Sequence, residues 1–217
     1  MMRFFGRFVL TLSALALLIS PALAQGRGGN GGGAAGFLMA PNVQKDLKLT
    51  DTQVKKISDT LREITERHQS DYAALRDASA DVRWTKTATL NETVSDEVKS
   101  ALSFSPEQSR RFDQIGLQAH GIYAFASRAV DEKVKLTDNQ KSKIQEIVEA
   151  SRASFAGAVN KDATEQERTD ARNKRSEAHK ENMNQVHAML TDDQKSAWKE
   201  LIGEPITIQY PARRSSN

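Results

Sequence analysis

Cysteine is absent from this chain of 217 residues. That excludes disulfide staples, thiol catalysis, thiolate metal sites and lipid attachment at a signal-peptide cysteine, so the fold must stand on packing alone. Aromatic residues make up only 6% and apolar residues 38%, against 27% charged. A composition so poor in core material suits narrow helices that expose much surface, with extra burial supplied by a partner subunit. After residue 24 there is no apolar run long enough to span a bilayer. A clustered basic face is missing as well. Acids and bases are mixed along the chain, and Arg213-Arg214 is too short a basic stretch to recruit nucleic acid. Neither G-x-S-x-G, nor H-E-x-x-H, nor a phosphate-binding P-loop occurs. The expectation is a binding protein with no cofactor, not an enzyme.

The apolar run that does exist opens the chain. Arg3 and Arg7 precede an almost unbroken apolar stretch from Phe8 to Ile19, and Pro21-Ala22-Leu23-Ala24 supplies a small-residue cleavage signature. Residues 1–24 therefore read as a secretory signal peptide, and the mature chain as an exported, periplasmic protein without a membrane span. Removing that segment takes away two arginines and no acid, so the formal charge falls from +3 to +1.

Residues 25–36 are a glycine-rich leader, expected to be flexible. Gly26-Arg27-Gly28-Gly29-Asn30-Gly31 formally matches G-x-G-x-x-G, but no strand precedes it, and the tract reads as linker. From Phe37 to Ile202 the apolar spacing is helical, as in Ile57, Leu61, Ile64 and in Ile144, Ile147, Val148. No segment sustains two-residue alternation, so the fold class is all-α with no β-sheet. The threonine-rich stretch Thr85 to Asn91 is expected to interrupt one helix, and Asn160-Lys161-Asp162 to form a tight turn. Gly203-Glu204-Pro205 ends the last helix, leaving residues 203–217 as a tail in which Ile206-Thr207-Ile208 can lie against the body.

One short phrase occurs four times: Leu49-Thr50-Asp51-Thr52-Gln53, Phe104-Ser105-Pro106-Glu107-Gln108, Leu136-Thr137-Asp138-Asn139-Gln140 and Leu190-Thr191-Asp192-Asp193-Gln194. An apolar residue, a hydroxyl residue and a glutamine three further on make a capping box. The hydroxyl accepts from the N3 backbone N–H, and the glutamine reaches back to the cap's own N–H. The aspartates suit the positive end of a helix dipole, and Pro106 sits where its missing N–H costs nothing. Thr60-Leu61-Arg62-Glu63 matches a bare box too, in what reads as mid-helix. Specificity comes from a large apolar residue four after each glutamine (Ile57, Phe112, Ile144, Trp198) and from the spacing. Leu49 to Phe104 is 55 residues and Leu136 to Leu190 is 54; the two pairs are offset by 87 and 86. The domain, residues 37–202, therefore reads as duplicated helical hairpins, with half-repeats of about 37–122 and 123–202.

These phrases, in an exported, cysteine-free helical chain, resemble the LTxxQ motif of the Spy/CpxP family of periplasmic proteins. The match lies at Leu49-Thr50-Gln53, Leu136-Thr137-Gln140 and Leu190-Thr191-Gln194, with Phe104-Ser105-Gln108 as a variant. The resemblance implies small helical proteins that form cradle-shaped homodimers. Some members act as ATP-independent holding chaperones for unfolded or partly folded envelope proteins, others restrain an envelope stress sensor, and relatives bind metals. A typical member carries two such motifs and this chain four, so one subunit here corresponds to a fused pair.

The best metal constellation is His179-x-x-x-Met183-x-x-x-His187, whose steps of four place three donors on one helix stripe. The competing reading, preferred here, makes Met183, Val186 and Leu190 a core stripe flanked by the histidines. His68 and His120 stand alone in the sequence. Glu63 and Glu66 lie beside Arg62 and Arg67, and residues 164–181 interleave acids with bases; both read as solvated helix faces. The alternatives to a holding chaperone are a metal-binding protein and an interaction module without client activity.

Overall fold

A computed structural model of the chain describes residues 34–155 and 163–210. The signal peptide, residues 25–33 of the leader, the Asn160-Lys161-Asp162 turn and Arg213-Arg214 lie outside the described residues. Helices run over Pro41–Asp46 (α1), Asp51–Arg67 (α2), Gln69–Asp77 (α3), Ala80–Ala101 (α4), Pro106–His120 (α5), Arg128–Val134 (α6), Asp138–Phe155 (α7), Glu165–Met189 (α8) and Asp192–Ile202 (α9). Short 3-10 segments cover Gly36–Met39 and Gly121–Ala126. Among the described residues there is no strand, and the fold is all-α.

Two apolar cores are built in parallel fashion. The first gathers residues between Ala35 and Ala119 together with Ile208; the second gathers residues between Ile122 and Ile202. In each, a 3-10 segment and a short helix lead into a capped helix, the chain goes out and returns antiparallel, and a second capped helix closes the core. The large residue four positions after every cap glutamine is buried: Ile57, Phe112, Ile144 and Trp198 are all 3% exposed or less. Aromatic rings seal both cores at corresponding places. Phe37 meets Phe112 at 5.1 Å, and Phe125 stacks on Trp198 at 4.5 Å. Each ring pair joins a 3-10 segment to the helix that follows the second cap.

Helix α4 links the cores. Leu90, Val94 and Val98 enter the first, while Trp84 packs against the second. Arg83 reaches Glu149 on α7 at 2.6 Å, and Gln145 donates to Asp81 at 2.6 Å. The threonine-rich stretch does not interrupt this helix, contrary to the expectation from propensity. Thr85, Thr89 and Thr93 donate their hydroxyls to the carbonyls of Asp81, Thr85 and Thr89, four residues back in each case. This ladder satisfies the hydroxyls inside the helix rather than outside it. The breaks fall instead at His68 and at Ala78-Ser79.

Chain reversals ahead of the caps use left-handed residues. Lys48, Ser103 and Lys135 have φ of 50°, 51° and 53°. Leu49 N–H bonds Gln44 O and Phe104 N–H bonds Lys99 O, the long-range bond of the Schellman motif. A side chain in this region costs roughly 1 kcal/mol that glycine avoids. Ser103→Gly should therefore raise stability by about 0.5–1 kcal/mol, or about 2 °C in Tm for a chain this size, read by thermal denaturation followed by circular dichroism. An unchanged or lower Tm would refute it.

Candidate functional site

The four hydroxyl residues all cap as the sequence predicts. Gln53 N–H donates to Thr50 Oγ1 at 3.3 Å, and the matching bonds at Ser105, Thr137 and Thr191 are 3.3, 3.2 and 3.2 Å. Each cap's own N–H donates back to the glutamine Oε1 at 2.9–3.0 Å. Thr60, by contrast, is buried inside α2, and its bare match caps nothing.

Beyond their own caps, the glutamines pair with each other. Gln53 Nε2 donates to Gln108 Oε1 at 3.0 Å, and Gln108 Nε2 returns a bond to Gln53 Oε1 at 3.2 Å. Gln140 and Gln194 do the same at 2.8 and 2.9 Å. Each Nε2 also donates to a carbonyl at the reversal before its partner's cap: Leu102 and Lys48 in the first lobe, Met189 and Lys135 in the second. Each amide thus closes its own helix start, grips its partner and stops the partner's preceding helix end. The requirement explains the residue type. A carboxylate serves an isolated box equally well, but it cannot donate. Thr164 and Glu167 form a fifth box at the start of α8; it is exposed, has no such pairing, and uses glutamate. The signal for the clasp was therefore present: glutamine at all four recurring positions, at separations of 55 and 54.

The candidate metal stripe divides. Met183 is 2% exposed and packs with Val186 and Leu190 in the second core. His179 and His187 are half-buried on either side of it, and burial pushes both imidazoles down from their ordinary value, with Lys195 adding to the effect at His187. Among the described residues no group of three or more His, Cys, Asp or Glu is arranged to hold a metal ion. The charged residues of α8 lie largely on an exposed face, as expected.

His68 and His120 do not stand alone. His120 is half-buried, bonds Ala34 O through Nε2 at 3.0 Å, and burial lowers its pKa. That contact anchors Ala34, and Ala35 is 1% exposed, so residues 34–36 belong to the packed body rather than to the leader. His68 sits at the break between α2 and α3. Its Nδ1 lies 2.9 Å from Asp71 and its Nε2 3.0 Å from Glu97 on α4, which also takes Arg67. The hydrogen bonds to Asp71 and then Glu97 raise its pKa.

A groove of about 600 Å³ runs between α4, α5, α6 and α9 where the lobes meet. Its floor includes Ala88, Leu117 and Leu201, and Tyr123 is 40% exposed at its side. Ion pairs of both signs frame it: Lys99 with Asp96 and Asp113, and Lys133 with Glu200. Burial works against the Lys99 ammonium, but the two carboxylates outweigh it and hold its pKa up.

Gln53→Glu keeps the capping box but loses both donations, and should cost about 2 kcal/mol at neutral pH, measured by chemical denaturation. In double-mutant cycles Gln53→Ala should couple to Gln108→Ala by about 1 kcal/mol or more and add simply with Gln140→Ala; the reverse pattern would refute the pairing. For His68, a pKa raised by folding means a stabilisation fully present below about pH 6.5 that is lost as pH rises through the folded value. The Tm gap between wild type and His68→Gln should therefore be larger at acid than at alkaline pH, and a gap that grows with pH would contradict this.

A family model described as LTXXQ motif family protein matches residues 123–202, the segment of the second core and the Gln140–Gln194 clasp. No curated protein and no solved structure matches the chain.

Proposed function

We propose that this chain is an exported periplasmic binding protein of the Spy/CpxP kind, which holds partly folded envelope polypeptides without ATP and without catalysis. The observation that carries this reading is the groove between the lobes, with its apolar floor and mixed-charge frame. Such a surface suits a loosely held, chemically varied chain: the floor takes apolar side chains, and the ion pairs keep the rim wet and prevent collapse onto one rigid partner. Holding needs only that sequestering exposed apolar segments lowers the population free to aggregate. The family match over residues 123–202 supports the periplasmic setting. Among the described residues no helix is long and apolar enough to cross a membrane.

The same reading takes residues 37–122 as a second copy of the unit that the family model matches. The clasps, the ring pairs and the offsets of 87 and 86 support it. On this view one chain supplies both halves of the cradle that the family builds by dimerisation.

The test is suppression of aggregation of a chemically denatured protein at stoichiometric amounts, followed by light scattering. Wild type should suppress it, and Tyr123→Asp, at an exposed position beside the groove, should weaken client affinity roughly tenfold, about 1.4 kcal/mol, with helicity unchanged. No suppression over a range of ratios would end the holding reading.

A further inference from the structure

The tail after α9 does not trail away. Gly203 turns the chain at φ 62°, and residues 205–210 then run back over the first lobe without helix. Ile206, Ile208 and Tyr210 pack against the first core, with Ile208 only 7% exposed, while Thr207 and Gln209 between them are exposed. Burial with a period of two is the pattern of an extended strand laid on an apolar surface.

The polar contacts that hold it are directed at its backbone. Gln118 Nε2 donates to Ile202 O at 2.7 Å and to Glu204 O at 3.0 Å, and Gln118 Oε1 accepts from Ile206 N–H at 2.9 Å. Arg111 donates to Glu204 O at 2.8 Å while Asp46 fixes its guanidinium from the other side. Asn42 donates to Thr207 O at 2.8 Å and accepts from Gln209 N–H at 3.0 Å. The Asn42 amide therefore pairs with the tail as the peptide group of a neighbouring strand would. Recognition of this kind reads extended backbone and alternate apolar side chains, not a particular sequence.

We infer that this face of the first lobe, with Asn42 on α1 and Arg111 and Gln118 on α5, is a docking site for extended polypeptide with apolar residues at alternate positions, and that the chain's own tail is its resting occupant. The inference rests on the holding function proposed above and gives it a second, gated surface. A tethered tail competes at an effective concentration on the order of millimolar. Only segments that outbid it dock, and its return expels them.

The experiment uses full-length protein and a labelled peptide of sequence Glu204-Pro205-Ile206-Thr207-Ile208-Gln209-Tyr210 added in trans. A variant carrying Ile206→Ser and Ile208→Ser empties the site while leaving Asn42, Arg111 and Gln118 in place. It should bind the peptide roughly tenfold more tightly than wild type, as removal of a competing closed state requires. The same peptide with serine in place of both isoleucines should not bind. A helical variant that binds no better than wild type would overturn the proposal. Hydrogen exchange on wild type decides the matter even if the variant does not fold. Millimolar peptide should speed exchange at the Ile206 and Gln209 amides, and unchanged protection would overturn the docking site. Reduced, carboxymethylated α-lactalbumin separates the two ideas. A complex that leaves those amides protected rejects the tail site and keeps the holding function. Failure to form any complex removes the holding function, while the peptide measurements still judge the site.

Discussion

A primary amide can accept and donate at once, and the organisation of both lobes depends on that property at four positions. Each glutamine Oε1 accepts from the N–H of its own cap and from an amide N–H of its partner; each Nε2 donates to its partner and to a carbonyl at a chain reversal. Helix starts and helix ends normally leave backbone groups for water to satisfy. Here two starts and two ends are brought to one point and satisfy one another, so the base of each hairpin is fixed without a disulfide. A chain with 6% aromatic residues and no cysteine needs such a device. Polar closure at the base lets a small core of mostly aliphatic residues suffice above it.

The clasp also sets what is rigid. Beyond it the packing thins: α3 has no buried residue, and the long α8 buries only Met183 and Val186, both near its C-terminal end. Order therefore runs from the clasped base outward. His68 is the exception on the first hairpin, since two carboxylates and a neighbouring arginine hold the α2–α3 break against α4. The groove lies near the ordered base, where α4, α5, α6 and α9 meet, rather than out on the arms.

Features of short range were legible in the sequence. The caps at Thr50, Ser105, Thr137 and Thr191 depend on residues three apart, and the buried Ile57, Phe112, Ile144 and Trp198 follow from one helical turn beyond. Features of long range were not. The glutamine pairs join residues 54 and 55 apart, the tail meets Asn42 across more than 160, and His68 finds Glu97 only because α4 folds back beside α2. Helix α4 continues through its threonines for another reason: propensity disfavours threonine in helices, whereas spacing of four lets each hydroxyl bond within the helix. The glutamate of the Thr164 box, beside four glutamines, was the one local clue to pairing.

The described chain starts and finishes on the same lobe: Ala35 and Ile208 share one core, and Tyr210 packs beside it. Topologically the molecule is close to a closed ring with its seam in the first lobe. Tension applied to its two ends would load that seam and peel Ile208 and Ala35 from their seats before any strain reached the Gln140–Gln194 clasp. The second lobe is thus mechanically insulated, and the order of the lobes along the polypeptide is a property of the seam rather than of the folded contacts.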